Sequence, residues 1–257
     1  MQNLKCHTRG SAKQNRELLG KLIGKDVVEA ILTLPKFNWS FRHGGKALPV
    51  EIDQVIFVDY EKRKPREEED LYQHVKTSSL TRETLSAHGL MDSTDGKCIG
   101  LISKVVLGSP FTYENNYIGS VFAHIPMLDF DQDERLSPGK RLELIKEGIR
   151  NKLMLTGLLL RSSSKNNYHF IGIGDLLDDT DFVTFCGLSL GMKYKTACGD
   201  NINLVDSRHV GHSLSPMKYM GELNGWSQYD FIDRFATLRL TPKREGGPLP
   251  IVVDIIE

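Results

Sequence analysis

Apolar positions along this chain recur with two different periods, and each change of period marks an element. From Glu17 to Leu34, the residues Leu18, Leu19, Leu22, Ile23, Val27, Val28 and Ile31 return at helical spacing, and Pro35 marks the stop. Residues 1 to 15 ahead of them are polar and read as a loose lead. Val50 to Tyr60, entered behind Pro49 and containing Val55, Ile56, Phe57 and Val58, has the pattern of a buried strand. Residues 61–70 form a charge run with one proline, the pattern of a solvated loop. Two more strands are predicted at Cys98–Leu107 and Tyr117–Leu128. A helix then opens near Ser137 with Pro138 in its first turn and Leu142, Ile145 and Ile149 as its apolar stripe. Leu153–Leu160 and Tyr168–Ile173 read as strands joined by a turn from Ser162 to Asn167. Asp178, Asp179 and Asp181 favour the start of a second helix reaching Leu190, with Phe182, Phe185 and Leu188 on its buried face. Phe235–Thr241 and Ile251–Ile256 are strand-like. With no internal repeat, this succession predicts an α+β fold.

A length of 257 residues suits one large domain or two small lobes. Hydrophobic residues at 40% and charged residues at 26% exclude disorder, collagen-like repeats and coiled coil as the main architecture. Lys plus Arg and Asp plus Glu are both 33, so the chain has no global electrostatic footprint for nucleic acid; only a local basic groove would serve. Cys6, Cys98, Cys186 and Cys198 form no CxxC pair and read as reduced thiols of a cytoplasmic protein rather than a zinc knuckle. No apolar stretch approaches the roughly 18–20 residues of a membrane span, and the N-terminus lacks the apolar core of a secretory leader. No membrane partner is expected.

Three segments hold residue types that do chemistry. An apolar strand ends in Leu128, Asp129, Phe130 and Asp131, and side chains two apart on a strand share a face. Converging carboxylates repel unless a cation lies between them, and hard oxygen ligands suit Mg²⁺ or Mn²⁺. The plain alternative is a solvated turn, since Asp59 with Glu61 and Asp179 with Asp181 show the same spacing. Next, a Ser/Asn-rich turn from Arg161 to Asn167 holds Lys165 and leads into a strand carrying His169. Small polar residues and backbone N–H groups beside a histidine suit a phosphate; an ordinary hairpin with a core histidine gives the same pattern. Third, Asp206 follows a short apolar lead, and Arg208 comes two residues later. A third carboxylate would complete a two-cation site and Arg208 would meet a triphosphate, whereas Asp206 by itself reads equally as a helix N-cap. His209 and His212 suggest a soft-metal pair, with no third ligand at a supporting spacing. Arg239 stands among apolar strand residues, where it needs an anion unless it faces water at the strand end.

The order of these segments resembles the archaeo-eukaryotic primase superfamily. Its three motifs are apolar-Asp-apolar-Asp/Glu, Ser-x-His, and an apolar residue followed by Asp. Here Asp129 and Asp131 come first, His169 lies 40 residues after Asp129, and Asp206 another 37 residues on. Tyr168 to Gly172 and Val205 to His212 are most similar to the small bacterial primase-like proteins. The likeness runs from about residue 120 to residue 239, and Asn167 stands where the family usually has serine. The resemblance implies a primase–polymerase core in one domain, with an RRM-like catalytic lobe (116–257) beside an N-terminal α/β lobe (1–115). It implies template-dependent nucleotidyl transfer, with Asp129, Asp131 and Asp206 as catalytic ligands of Mg²⁺ or Mn²⁺. Lys165, Asn167, His169, Arg208 and Arg239 would surround the nucleoside triphosphate. The implied partners are nucleoside triphosphates and a DNA or RNA template. A chain without excess positive charge would also need a protein that holds the template. A metal-dependent nuclease or nucleotide-modifying enzyme would use the same carboxylates, and a catalytically inactive nucleotide- or nucleic-acid-binding module would keep the same fold.

Overall fold

A computed structural model describes residues 4–43, 46–60, 72–87, 98–108, 122–162, 167–215, 217–219, 231–241 and 247–257. The chain opens with α1 (Leu4–Leu22) and α2 (Val27–Thr33). Gly24 between them has φ +79, a left-handed conformation that favours glycine, and its N–H donates to Val252 O at 2.8 Å. Asp26 then caps α2 by accepting from Glu29 N–H at 3.0 Å. The single helix expected over Glu17–Leu34 is therefore two, and the lead expected to be loose is helical from Leu4.

The strands and helices that follow are β1 (Trp39–His43), β2 (Lys46–Val50), β3 (Ile52–Tyr60), β4 (Tyr72–Lys76), α3 (Arg82–Ala87), β5 (Cys98–Leu107), β6 (Phe122–His124) and β7 (Met127–Phe130). Next come α4 (Pro138–Gly148), β8 (Gly157–Arg161), β9 (Tyr168–Gly172), β10 (Asp175–Leu177) and α5 (Asp179–Leu190). The chain continues through β11 (Lys193–Lys195), β12 (Asn201–Asn203), α6 (Ser207–Leu214), β13 (Met217–Tyr219), β14 (Phe231–Asp233), β15 (Thr237–Arg239) and β16 (Ile251–Ile256). The class is α+β.

Two sheets dominate. The larger has the order β2-β1-β10-β6-β5-β3-β4, with β15 also paired to β5; the smaller is β16-β8-β9-β7, antiparallel throughout. The larger sheet thus takes β6, β10 and β15 from residues 116–257, alongside strands from residues 1–115. Two strands run from one sheet into the other: β6 becomes β7 across Ile125 and Pro126, and β9 becomes β10 across Ile173 and Gly174. These strands are neighbours in both sheets, since β7 pairs β9 and β6 pairs β10. The end of β9 is also tied to the first connector, with Gly172 N–H donating to Pro126 O at 2.7 Å. One apolar core runs through both sheets, from Val55, Phe57 and Leu101 to Leu128, Phe170 and Leu159.

A polar chain that runs from buried Ser103 and His124 out to exposed Asp179 ties α5 to the larger sheet. Ser103 Oγ lies 3.2 Å from His124 Nδ1, His124 Nε2 lies 2.9 Å from Asp179 Oδ1, and the imidazole stacks on Phe182. Its residue types are those of a hydrolase triad. Yet Ser103 is wholly buried and its Oγ accepts from Ala236 N–H, so it fastens strands and meets no substrate.

Several expected boundaries shift for physical reasons. The strand placed at Tyr117–Leu128 is broken at Pro126, and its residues 117–121, like the charge run 61–70, lie outside the described residues. The strand expected from Leu153 starts only at Gly157, because Ile149–Leu153 prolong α4 as a π turn that ends at Met154 with φ 52. On α4 the buried residues are Arg141 and Ile145, followed by Ile149, while Leu142 is half-buried. On α5, Leu188 is 48% exposed, and Cys186 and Ser189 fill the inner face instead. Cys186 and Cys198 are free thiols, and burial pushes Cys186 up to about 12. No described helix is long and apolar enough to cross a membrane.

Gly157 and Gly172 face each other across β8 and β9. A Cβ at Gly157 would stand 2.3 Å from Ile171 O and 2.6 Å from the Phe170 ring, and one at Gly172 would stand 2.9 Å from the Pro126 ring. Gly157→Ala is expected to destabilise the fold by about 2–3 kcal/mol, read as a lower urea midpoint at unchanged slope. Gly187→Ala in α5, with nothing within 4 Å, should be neutral or slightly stabilising. Equal midpoints for the two variants would contradict this account of the crossing.

Candidate functional site

The site is assembled on β7, an edge strand of the smaller sheet. Asp129 pairs in register with His169 on β9, so the two side chains share a face, and Asp129 Oδ1 lies 3.6 Å from His169 Nε2. The outer side of β7 is met by the segment leading into α6: Asp206 N–H donates to Asp129 O at 2.9 Å. Asp206 then caps α6, its Oδ1 accepting from Arg208 N–H at 2.9 Å. The helix-cap reading and the carboxylate-site reading of Asp206 thus describe one conformation. With Asp131 just beyond the strand end, one carboxylate oxygen from each of Asp129, Asp131 and Asp206 lies within 4.8 Å of the others.

Packing the carboxylates together moves the proton affinities of Asp129 and Asp206. Burial raises Asp129 most, the neighbouring charges of Asp131 and Asp206 add to it, and His209 opposes; the result is about 6. His209 shifts down because burial disfavours its charged form, against the pull of Asp129. Its Nε2 is buried and finds no hydrogen-bond partner among the described residues. Burial pushes Asp206 up as well, but hydrogen bonds and charge from Arg208 outweigh it and bring the carboxyl below its ordinary range.

Arg208 spans the cluster. Its Nη2 donates to Asp131 Oδ2 at 2.6 Å and Asp206 Oδ2 at 3.1 Å, and its Nε donates to Asp206 Oδ1 at 3.2 Å. Asn167 is close by, although its Oδ1 accepts from Gln132 N–H at 2.7 Å and so secures the loop after Asp131. Arg239 lies on β15 in the larger sheet, in register with Gly100. Lys165 lies outside the described residues.

Two side chains join the site beyond those expected. His209 stands beside Asp129, while its supposed partner His212 is exposed. Arg141 of α4 is 1% exposed and donates from Nη2 to Leu204 O at 3.2 Å, bracing the segment that carries Asp206. Its Nε and Nη1 have no hydrogen-bond partner among the described residues, and burial lowers its pKa against the pull of Asp133, Asp131 and Asp129. Its place four residues before Ile145 and eight before Ile149, on their stripe, was the available signal.

Chemically, three clustered carboxylates with oxygen donors, backed by a buried imidazole nitrogen in want of a partner, fit a hard divalent cation. Comparison with known protein families, with curated proteins and with solved structures finds no match.

Because the Asp129 pKa is raised on folding, the folded chain holds that proton more tightly than the unfolded chain does. The resulting stability is complete below about pH 4 and is lost as pH rises through about 6. In chelator, Asp129→Asn is therefore expected to exceed wild type by roughly 2 kcal/mol at pH 7.5, with the gap closing toward pH 4. Thermal melts at both pH values check this. An Asn variant no more stable than wild type at pH 7.5 would show that Asp129 carries no such strain.

Proposed function

We propose that this chain is a metal-dependent nucleotidyltransferase of the primase–polymerase type, joining nucleoside triphosphates on a DNA or RNA template. The observation that carries the reading is the convergence of Asp129, Asp131 and Asp206, with His169 opposite the first of them. They come from three separate stretches of the sequence, whose order resembles that of the motifs of the primase superfamily. The finer fold assignment, an RRM-like catalytic lobe beside an N-terminal α/β lobe, belongs to the same reading. The succession β7-α4-β8-β9 within a four-stranded antiparallel sheet supports it.

In this reading Asp129, Asp131 and Asp206 would hold Mg²⁺ or Mn²⁺, which supplies activation of the attacking 3′-hydroxyl and neutralisation of the triphosphate. His169, fixed by the ladder, would donate to a phosphate oxygen, and Arg208 would offer a planar pair of donors to another. Lys165 and Arg239 keep the triphosphate role that the resemblance implies. Asn167 becomes a positioning residue, holding Gln132 and with it the turn after Asp131. Arg141 positions Asp206 from behind through Leu204. With equal numbers of acidic and basic residues, a partner protein would hold the template.

One observation favours a second reading, a nucleotide- or nucleic-acid-binding module without catalysis: Arg208 already places a positive charge across Asp131 and Asp206. Incubation with Mn²⁺, labelled triphosphates and primed or unprimed templates separates the two. Extended strands are expected from wild type, falling to background in Asp129→Ala. Shortened strands would move the assignment to a nuclease. Triphosphate binding by calorimetry without any product would establish the module.

A further inference from the structure

Arg208 takes up three of the six carboxylate oxygens of the cluster, including both oxygens of Asp206. Asp206 Oδ1 accepts from the Arg208 backbone N–H as well. A divalent ion held by Asp131 and Asp206 would therefore stand within a few ångströms of a guanidinium that stays charged at any pH a protein meets. The repulsion cannot be relieved by loss of a proton, so the side chain has to turn away. Nothing in the packing prevents this: the Arg208 side chain is 76% exposed, and its stem lies on the open face of α6. A further exposed cation near this loop, Arg135, is engaged elsewhere, with Nη2 donating to Asp133 Oδ2 at 2.6 Å.

We infer that Arg208 is a resident counter-ion that competes with divalent cations for Asp131 and Asp206, so that cation loading and the outward turn of Arg208 are one event. The inference rests on the proposed reading of the three aspartates as metal ligands. It carries a coupling: an anionic ligand that engages the turned-out guanidinium tightens the cation, and the cation tightens that ligand by the same factor.

The test uses Mn²⁺ alone, titrated without nucleotide and followed by the electron paramagnetic resonance signal of the free ion. Arg208→Gln is expected to bind Mn²⁺ about tenfold more tightly than wild type, the worth of a pair of exposed charge-assisted hydrogen bonds. Arg135→Gln removes one positive charge from the neighbouring turn without touching the three aspartates, and should bind as wild type does. Equal affinity in wild type and Arg208→Gln, or equal tightening in both variants, overturns the competition while leaving the metal site standing. Absence of Mn²⁺ binding in all three proteins overturns the metal reading itself, and the inference with it. A second readout needs no variant. In wild type, Mg²⁺ should shift the Arg208 Nε–H resonance with the same midpoint as binding, and a resonance that stays fixed through saturation overturns the inference.

Discussion

Asp206 N–H and Asp129 O, 2.9 Å apart, make the hydrogen bond on which the candidate site turns. β7 is an edge strand, and its outer main-chain groups would otherwise invite another strand. Here one of them is met by the entry to a helix, which brings the third carboxylate against the other two. Asp129 and Asp131 are set by strand geometry, two residues apart. Asp206 reaches them only because its main chain docks on theirs and because Arg141 braces Leu204 from below. The same Asp206 begins α6, so helix direction, strand edge and carboxylate spacing cannot vary separately.

Concentrated negative charge is expensive at a half-buried place, and the chain offsets it in three ways. Asp129 holds its proton up to about pH 6, Arg208 lies across Asp131 and Asp206, and buried Arg141 adds positive potential behind the cluster. All three responses have the sign that a bound cation would have. They are what distinguishes this triad from acid-x-acid pairs such as Asp179 and Asp181 at the start of α5, where a helix N-terminus and the imidazole of His124 suffice.

How much of this was legible in the sequence depended on whether the cause was local. The strand β5, the start of α5 at Asp178 and the cap of α4 at Ser137 follow from period and capping chemistry, and they stand where the pattern puts them. Apolar spacing runs on through Gly24 and hides the split between α1 and α2, where a left-handed turn is held by contacts with β16. Strands β1 and β2 form a hairpin whose apolar alternation is faint, so their place beside β10 came from tertiary pairing. In the site, the aspartates and His169 were visible as residue types in order. Arg141 was hidden by a stripe drawn one residue too late, and the partner of His209 is on a strand rather than on its own helix. Asn167 shows the limit of residue type as a guide: an amide suited to phosphate is spent on a backbone N–H.

The paired crossing of β6–β7 and β9–β10 has a mechanical meaning. Two adjacent strands leave one sheet together and enter the other together, through connectors of two residues each, with the end of β9 at Gly172 bonded to the other connector at Pro126. Such a ribbon bears load like a double girder: it resists shear between the sheets, because sliding one strand drags its neighbour. Asp129 and His169 sit opposite each other on that girder. The separation of these two groups is thus held by the ladder itself, and whatever accommodation a ligand demands is left to the exposed side chain of Arg208, in the first turn of a short helix.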